Sequence, residues 1–596
     1  MKTKHNPATH NAVSAGSRIS SAIKAQWGWV GNYSRAAFTD DAVAAVVVTI
    51  LLVPQSLAYA LLAGLPPQVG IYASIAPLIA YALLGSSNQL TVGPTAVVSL
   101  MTAATIAMLP PEQRIIGAAA LALIVGVILL VAGLLRAGFL MNFVSRPVVS
   151  AYITGAALLI IISQLRHILG LDGGGRTALA MVSNLSRQAT DIHTLTLIVG
   201  ALSLVAFYLA RNTLAYRLVK AGVRSRRARM ASRIVPILIL LVALGISGVL
   251  GLSERGLATV GPIPGGLPPL SFPMSDMSLF QNLLVPACVV AIVAFVDSTS
   301  TAQELAARQR EKVDANRELL GLGAANMAAG LTGGYAVNGS MSRSAVNAAA
   351  GGRTQVSGLI VAALMTLTAL FLTPFLKPLP LAVLAALIII ACLSLLDFKA
   401  IWRTWVYSRA DGITAIATFL AVLLLGVQWG VLAGVVLAMA LHIRGTVSPY
   451  MPLVGRFPGT EHYRDAGRFV VETDERVKTL RIDESLYYAN ARTLEDRVAD
   501  IVEASPELTD LILMCTAVNR IDASALDSLE TINTRLKAAG VSLHFSDMQS
   551  RVRERLFRSS FLDRLSGRIF LSQHEAMEAL TEVADFAFLD DHIDMH

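Results

Sequence analysis

Charged residues are scarce in this chain, at 15% of 596 residues, while hydrophobic residues make up 54%. This composition excludes an ordinary soluble protein, and also a disordered or collagen-like one. Cysteine is rare, and Cys288, Cys392 and Cys515 lie in apolar runs without metal-ligand spacing, which excludes a disulfide scaffold. The sequence also lacks Walker A, zinc, nucleophile-elbow and nucleic-acid-binding motifs, so we expect no enzyme, no resident cofactor and no nucleic-acid partner.

The charge that is present is distributed unevenly. Residues 1–455 hold 31 Lys or Arg against 14 Asp or Glu, whereas residues 456–596 hold 17 against 26. Such a contrast indicates two parts that face different solvents. We predict an N-terminal cytoplasmic segment at 1–40, a transmembrane domain at 41–455 and a cytoplasmic soluble domain at 456–596.

Long uncharged stretches fill the first part. Residues 42–111 contain no Asp, Glu, Lys, Arg or His, and a membrane-spanning helix needs about 20 apolar residues. Further uncharged runs continue to Leu441 and predict about fourteen crossings in total. In the last run, Gly426, Gln428 and Gly430 predict a tight hairpin, and the four-residue spacing of Gly426, Gly430 and Gly434 predicts closely packed helices.

Basic residues set the expected orientation. The segment Arg211–Arg233 carries eight basic residues and no acidic one. Because basic loops stay on the cytoplasmic side, we predict that both termini lie in the cytoplasm. The expected location is the inner membrane of the cell.

Two segments interrupt the hydrophobic pattern in the same way. Gln89-Leu-Thr-Val-Gly-Pro-Thr95 and Tyr335-Ala-Val-Asn-Gly-Ser-Met-Ser342 each place a short β-like piece and a glycine before a new helix. Gly93 and Gly339 lie 246 residues apart. A second pair of polar interruptions, Gln55 and Asp297, lies 242 residues apart.

This near-constant offset predicts two repeats of seven spans. The second repeat must be inverted, because seven is odd, and broken helices at matching positions of inverted repeats mark a binding site near the middle of the membrane. Each half-helix would expose unpaired N–H groups and a partial positive charge at its start, so two such starts form a cradle for an anion.

Charged residues inside this region carry the chemistry. Arg343 lies in the second half-helix, where it adds a full positive charge to the cradle. Asp297 is followed by Ser298 and Thr301, a set that suits a proton carrier or a hard cation such as Na⁺. An alternative is that Asp297 and Arg343 merely neutralise each other. Asp297 is the one obvious carboxylate within the spans.

Five motifs together resemble the SulP sulfate permease family of anion transporters. They are Pro54-Gln-Ser-Leu-Ala-Tyr-Ala60, Leu90-Thr-Val-Gly-Pro-Thr-Ala96, Val296-Asp-Ser298, Asn316-Arg-Glu-Leu319 and Gly339-Ser-Met-Ser-Arg-Ser344. The resemblance implies a seven-plus-seven inverted-repeat fold like that of uracil transporters, with core and gate domains, elevator-type alternating access and a homodimer.

The resemblance also implies functional residues. The anion site falls on Gln55, Tyr59, Gly93, Thr95, Gly339, Ser340, Ser342 and Arg343. The cation-coupling position falls on Asp297, where many relatives have Glu, so a proton and a sodium ion both remain open. Sulfate is the first expectation for the substrate. Bicarbonate, a C4-dicarboxylate, and an anion channel or exchanger on the same fold are the alternatives.

The last part has the pattern of a small α/β domain. Strands are predicted at Arg468–Glu472, Lys478–Ile482, Leu511–Cys515 and Val541–Phe545, with amphipathic helices between them. The piece Val518-Asn-Arg-Ile-Asp-Ala-Ser-Ala-Leu526 resembles the STAS domain of SulP transporters and anti-sigma-factor antagonists. Ser524 matches the phosphorylated serine of the antagonists, although Asp522 or Ser524 also suits a helix N-cap. The domain is expected to serve regulation, dimer contacts or a cytoplasmic protein partner.

Overall fold

The structure, a computed structural model, describes residues 33–139, 145–172, 174–175, 177–222, 225–273, 277–309 and 311–581. Most of the predicted N-terminal segment therefore lies outside the described residues. The chain divides into two compact units after Ala438.

The first unit consists of helices and two very short strands. Its elements are α1 Arg35–Leu62, α2 Pro67–Tyr72, α3 Ala76–Leu84, β1 Val92–Gly93, α4 Ala96–Ile106, α5 Arg114–Leu134, α6 Arg146–Leu169, α7 Ala178–Arg187, α8 Thr194–Asn212, α9 Leu214–Lys220, α10 Ser225–Val249, α11 Met277–Gln309, α12 Ala315–Leu331, β2 Asn338–Gly339, α13 Met341–Ala350, α14 Val356–Leu367, α15 Leu381–Leu393, α16 Phe398–Tyr407, α17 Arg409–Leu425 and α18 Val427–Val447.

Within the described residues, nine helical segments are long and apolar enough to cross a membrane. Two shorter apolar helices, Ala96–Ile106 and Val235–Val249, accompany them. The predicted polytopic helical membrane fold is confirmed, whereas the count of fourteen spans stays a prediction.

The membrane helices pack in two sets. Helix α12 packs on α3, α5 and α11, helix α11 also packs on α5, and α13 and α14 pack on α1. In the second set α6 packs against α15 and α17, and α8 against α15. Contacts between the sets are fewer, so the unit contains two helix groups that share a limited interface.

The predicted glycine hairpin is present between α17 and α18. Helix α17 ends at Leu425, Gly426 adopts a φ of 92°, and α18 begins at Val427. A Cβ on Gly430 would lie 2.5 Å from the Cα of Val422, and one on Gly434 would collide with Thr418. These glycines therefore allow the two helices to approach at backbone distance.

The second unit is a sheet covered by helices. Its elements are β3 Leu453–Arg456, β4 Tyr463–Asp465, β5 Val477–Arg481, α19 Ala491–Ala504, β6 Asp510–Met514, α20 Ala523–Ala538, β7 Ser542–Ser546, α21 Ser550–Phe557, α22 Phe561–Arg564 and α23 Gln573–Leu580. The strand order is β4-β3-β5-β6-β7, with β5, β6 and β7 parallel.

The sequence located three of these strands and missed two. The predicted strand Arg468–Glu472 is wrong, because this segment contributes one isolated bridge, from Glu472 to Arg456. The sheet instead begins with β3 and β4, which pair antiparallel. Strand β3 spans the predicted domain boundary at residue 455, so the soluble sheet starts before that boundary. Both strands are short, and β3 also carries Gly455, so their sequence pattern is weak.

Helix α20 begins as predicted. Asp522 is its N-cap, and its Oδ1 accepts a hydrogen bond from the Ala525 N–H at 2.9 Å. Asp522 Oδ2 also accepts from the Tyr488 N–H at 3.0 Å, which ties the helix start to the loop after β5. Ser524 is exposed in the first turn, and its phosphorylation stays a prediction.

A buried histidine makes the second unit sensitive to acid. His544 Nε2 lies 2.9 Å from Asp510 Oδ1, and Nδ1 accepts a hydrogen bond from the Arg568 N–H at 3.0 Å. Protonation of Nδ1 would break the second bond. Burial lowers the pKa of His544 below its usual value, although Asp510 opposes this shift. The unfolded chain therefore binds a proton that the folded domain does not, and stability is lost as pH falls below about 6.5.

We expect the thermal midpoint of a fragment that begins at Ser448 to fall between about pH 7.5 and 5.5. The fall should be smaller in His544→Gln, because glutamine does not titrate. Circular dichroism melts at the two pH values measure this difference. Equal falls in both proteins would assign the acid sensitivity to other groups.

Candidate functional site

The two predicted breaks meet in space. Strands β1 and β2 pair antiparallel, with Val92 opposite Gly339 and Gly93 opposite Asn338. Helix α4 begins three residues after β1, and α13 begins two residues after β2. Segments almost 250 residues apart thus place two helix starts beside one small sheet, as expected for paired half-helices of inverted repeats.

Side chains lock this crossing. The Thr91 N–H donates to Ser344 Oγ at 2.8 Å, and the Ser340 N–H donates to the Thr91 carbonyl at 3.1 Å. On the other side, the Gly339 N–H donates to Ser298 Oγ at 2.8 Å. Each break is therefore hydrogen-bonded to the other half-helix or to α11, which fixes the position of both helix starts.

The two helix starts are capped differently. Ser340 Oγ accepts from the Arg343 N–H at 3.5 Å and lies 3.2 Å from Ser342 Oγ. Thr95 occupies the N-cap position of α4, but its side chain does not cap that helix. Its hydroxyl instead donates to Asn338 Oδ1. The first N–H groups of α4 therefore lack a side-chain acceptor from their own N-cap, and they add partial positive charge at the site.

Arg343 is the charge at the centre of the site. Its side chain is 1% exposed, and Nη1 donates to the Pro94 carbonyl at 2.7 Å. A Cβ on Gly93 would lie 3.3 Å from Nη2, so glycine keeps this approach open. Nε and Nη2 are buried without a hydrogen-bond partner among the described residues. A buried guanidinium with free donors is unfavourable unless an anion binds there.

Asp297 does not pair with Arg343. Its Oδ2 accepts a hydrogen bond from Asn338 Nδ2 at 2.6 Å, and no ion pair among the described residues joins it to Arg343. The alternative of mutual neutralisation is thus wrong for this structure, since the amide of Asn338 holds the carboxylate. Thr301 is buried one helical turn further along α11.

Residues of α1 complete the surroundings. Gln55 is half-buried, and its Oε1 has no hydrogen-bond partner among the described residues. Tyr59 is 7% exposed, and its hydroxyl lies within electrostatic range of Arg343, as does that of Tyr335. Pro54 interrupts the hydrogen-bond ladder of α1 just before Gln55. The structure therefore places Tyr59 near the half-helix starts, and it leaves a free acceptor on Gln55.

The sequence did not single out Asn338 and Tyr335. Both lie inside the second interrupted segment. The signal that could have identified them is the presence of a polar and an aromatic residue in an apolar run. Asn338 is fully buried and contacts both Thr95 and Asp297. Tyr335 is also fully buried, and its hydroxyl lies 2.9 Å from Ser99 Oγ.

Asp297 is also not the only carboxylate enclosed by the membrane unit, which corrects the prediction. Glu318 is fully buried and accepts from the Ser86 N–H at 3.0 Å, the Ser87 N–H at 3.2 Å and the Tyr81 hydroxyl at 2.9 Å. Asp41 is fully buried and accepts from the Arg353 N–H at 2.6 Å. With several donors around Glu318, its carboxylate fixes the segment that leads into β1.

Comparisons with known proteins give a consistent family. The sulfate permease family matches residues 38–418, and the STAS domain matches residues 468–576. A probable sulfate transporter of Mycobacterium tuberculosis is 36% identical over 557 residues, which cover 92% of this chain and 96% of that protein.

Solved structures show the same fold. The murine Slc26a9 anion transporter in its inward-facing state superposes with a TM-score of 0.85 at 23% identity, over 97% of this chain and 96% of that one. The transmembrane domain of the cyanobacterial bicarbonate transporter BicA superposes with a TM-score of 0.57 at 22% identity, over 68% of this chain and 98% of that domain.

Proposed function

The chain belongs to the sulfate permease family, and we propose that it is a secondary active transporter that moves sulfate across the cell membrane together with protons or sodium ions. The observation that carries this proposal is Arg343, a buried cation with two unpartnered donor nitrogens between two half-helix starts. Gly93, Thr95, Gly339, Ser340 and Ser342 would surround the anion there. The relative of Mycobacterium tuberculosis, a probable sulfate transporter, supports sulfate as the substrate.

Coupling is required by the charge of the substrate. Moving a dianion into a compartment held about 100 mV negative costs roughly 4.6 kcal/mol, twice the cost for one elementary charge. A cation that binds at Asp297 and enters with the anion offsets part of this cost. We assign cation binding to Asp297, Ser298 and Thr301, because α11 presents them beside the second half-helix.

Movement of one helix set against the other would provide alternating access. The coupling helix α11 contacts both half-helices, α4 and α13. Helices α6, α8, α15 and α17 form the other set. We propose that the first set is the core that carries the substrate and the second is the gate, because two groups with few shared contacts can slide past each other in an elevator motion.

One observation favours a second substrate class. Among the described residues, Asp297 is the carboxylate found at the site, where the amide of Asn338 donates to it. One coupled charge is therefore available, and one cation balances a monoanion such as bicarbonate better than sulfate. Bicarbonate is therefore the second candidate, and a C4-dicarboxylate or an anion channel or exchanger mode are further outcomes of the test.

The test is uptake of labelled sulfate into proteoliposomes, with bicarbonate, fumarate or chloride as unlabelled competitors. Sulfate transport predicts saturable uptake driven by an imposed proton or sodium gradient, with weak competition by the other anions. Strong competition by bicarbonate would transfer the assignment to that anion. Uptake that ignores both gradients and follows voltage without saturating would indicate a channel.

The remaining assignments follow from the family. We propose a homodimer in the inner membrane with both termini in the cytoplasm, and a STAS domain that regulates transport or binds a cytoplasmic protein partner. A phosphate on the exposed Ser524 would meet the first turn of α20, where helix N–H groups favour negative charge.

A further inference from the structure

One amide side chain joins the two parts of the candidate site. Asn338 Nδ2 donates to Asp297 Oδ2 at 2.6 Å, and Asn338 Oδ1 accepts from the hydroxyl of Thr95. Asn338 is fully buried, and its backbone is fixed by the pairing of β1 with β2. Its side chain therefore connects the carboxylate on α11 to the N-cap position of α4.

The charge of Asp297 fixes the direction of both hydrogen bonds. An ionised carboxylate only accepts hydrogen bonds, so the NH₂ group of Asn338 must face it and the carbonyl must face Thr95. Thr95 then uses its single hydroxyl hydrogen on Asn338. Toward any other neighbour this hydroxyl presents lone pairs, which repel an anion.

Neutralisation of Asp297 removes this constraint and permits the reverse arrangement. A bound proton gives the carboxyl group one O–H donor, which the Asn338 carbonyl can accept, and a bound sodium ion attracts a carbonyl oxygen and repels an NH₂ group. Rotation of the Asn338 amide by half a turn brings its carbonyl oxygen toward Asp297, where it can bind either the proton or the sodium ion. The NH₂ group then donates to Thr95, whose own hydrogen becomes free to bond an anion between the half-helix starts.

We propose that Asn338 is a positioning residue that transmits the charge state of Asp297 to Thr95, so that cation binding adds one hydrogen-bond donor to the anion site. This inference rests on the proposed function, in which Asp297 binds the coupled cation and the half-helix starts bind the anion. One added hydrogen bond to a charged ligand should raise the affinity for the anion by roughly tenfold to a hundredfold. By linkage, the anion strengthens cation binding by the same factor.

No charged neighbour among the described residues interferes with the interaction between Asp297 and Asn338. Tyr152 of α6 is the titratable side chain that faces Asp297 from a neighbouring helix in the described part of the chain. A phenol is uncharged near neutral pH. Arg343 donates to the Pro94 carbonyl, so it does not compete with Asn338 for Asp297.

The experiment compares sulfate affinity with and without the coupled cation in the full-length protein. The probe is labelled sulfate, and the cation is the one whose gradient drives wild-type uptake. We expect the wild type to bind sulfate roughly tenfold or more tightly at saturating cation. Thr95→Val keeps the shape but removes the hydroxyl, and Asn338→Leu removes the amide, so each should bring this ratio close to one.

Three further variants separate the relay from a structural role. Thr95→Ser restores a hydroxyl and should restore the ratio. Thr102→Val makes the same change as Thr95→Val at another buried position of α4, and it should leave the ratio at the wild-type value. The double variant of Thr95→Val and Asn338→Leu should lose no more coupling than either single variant, because both interrupt one relay.

The outcomes are distinguishable. A wild-type ratio that persists in Thr95→Val would overturn the relay while leaving cation-coupled transport intact. A wild type whose uptake and sulfate affinity ignore both cations would overturn the proposed coupling itself. If Asn338→Leu fails to fold, the comparison of Thr95→Val with Thr95→Ser decides the question, since serine has a hydroxyl on Cβ where valine has two methyl groups.

Discussion

Arg343→Ala should reduce sulfate affinity by roughly tenfold to a hundredfold or more, because it removes a charged donor from a buried site. The guanidinium is 1% exposed and keeps two unpartnered nitrogens, so water compensates little for its loss. Arg343→Lys should recover part of the affinity, since it keeps the charge but loses the planar fork. Equilibrium binding of labelled sulfate to purified protein measures this effect.

Arg353→Ala is the matched control for this substitution. Arg353 lies just after α13 and forms an exposed ion pair with Asp40, with a nitrogen–oxygen distance of 2.6 Å and a side chain 61% exposed. Exposed pairs contribute about 0.2–1 kcal/mol, so sulfate affinity should stay near the wild-type value. Unchanged affinity in a folded Arg343→Ala protein would remove this arginine from the site.

Asp297→Asn should abolish concentrative uptake. Asparagine keeps the size of the side chain but cannot bind a proton or attract a cation, so sulfate would distribute as an uncoupled dianion. Two charges at about 100 mV correspond to roughly 4.6 kcal/mol, which is a concentration ratio of over a thousandfold against accumulation. The readout is the ratio of internal to external labelled sulfate at steady state, with a cation gradient and a negative-inside potential imposed.

Asp40→Asn provides the control, because this carboxylate belongs to the exposed pair with Arg353. It should leave gradient-driven uptake unchanged. If Asp297→Asn retained the gradient dependence of the wild type, cation binding would have to be assigned elsewhere, and Glu318 and Asp41 would be the next carboxylates to test. Their several hydrogen-bond donors favour a structural role.

Sequence reasoning recovered the parts of the site that have a local signature. The glycines at 93 and 339 interrupt apolar runs, and Arg343 and Asp297 are charges where charges are rare. It failed where the signature was weak. Strands β3 and β4 are three or four residues long. Glu318 belongs to the motif Asn316-Arg-Glu-Leu319, but nothing in that polar helix start indicates that its carboxylate is buried. Asn338 lies in the second interrupted segment, which contains several polar residues, and the sequence gave no reason to select this one.

The sequence by itself determined that this chain spans a membrane, that two helices are broken at related positions, and that an α/β domain follows. It could do so because a bilayer imposes rules on length and hydropathy that any short stretch must obey. Only the tertiary structure decided which side chains meet: Asp297 bonds Asn338 and not Arg343, and Thr95 turns from its own helix toward the opposite break. These partners include residues more than 240 positions apart, and their choice depends on hydrogen-bond geometry inside a buried site, which no local pattern encodes.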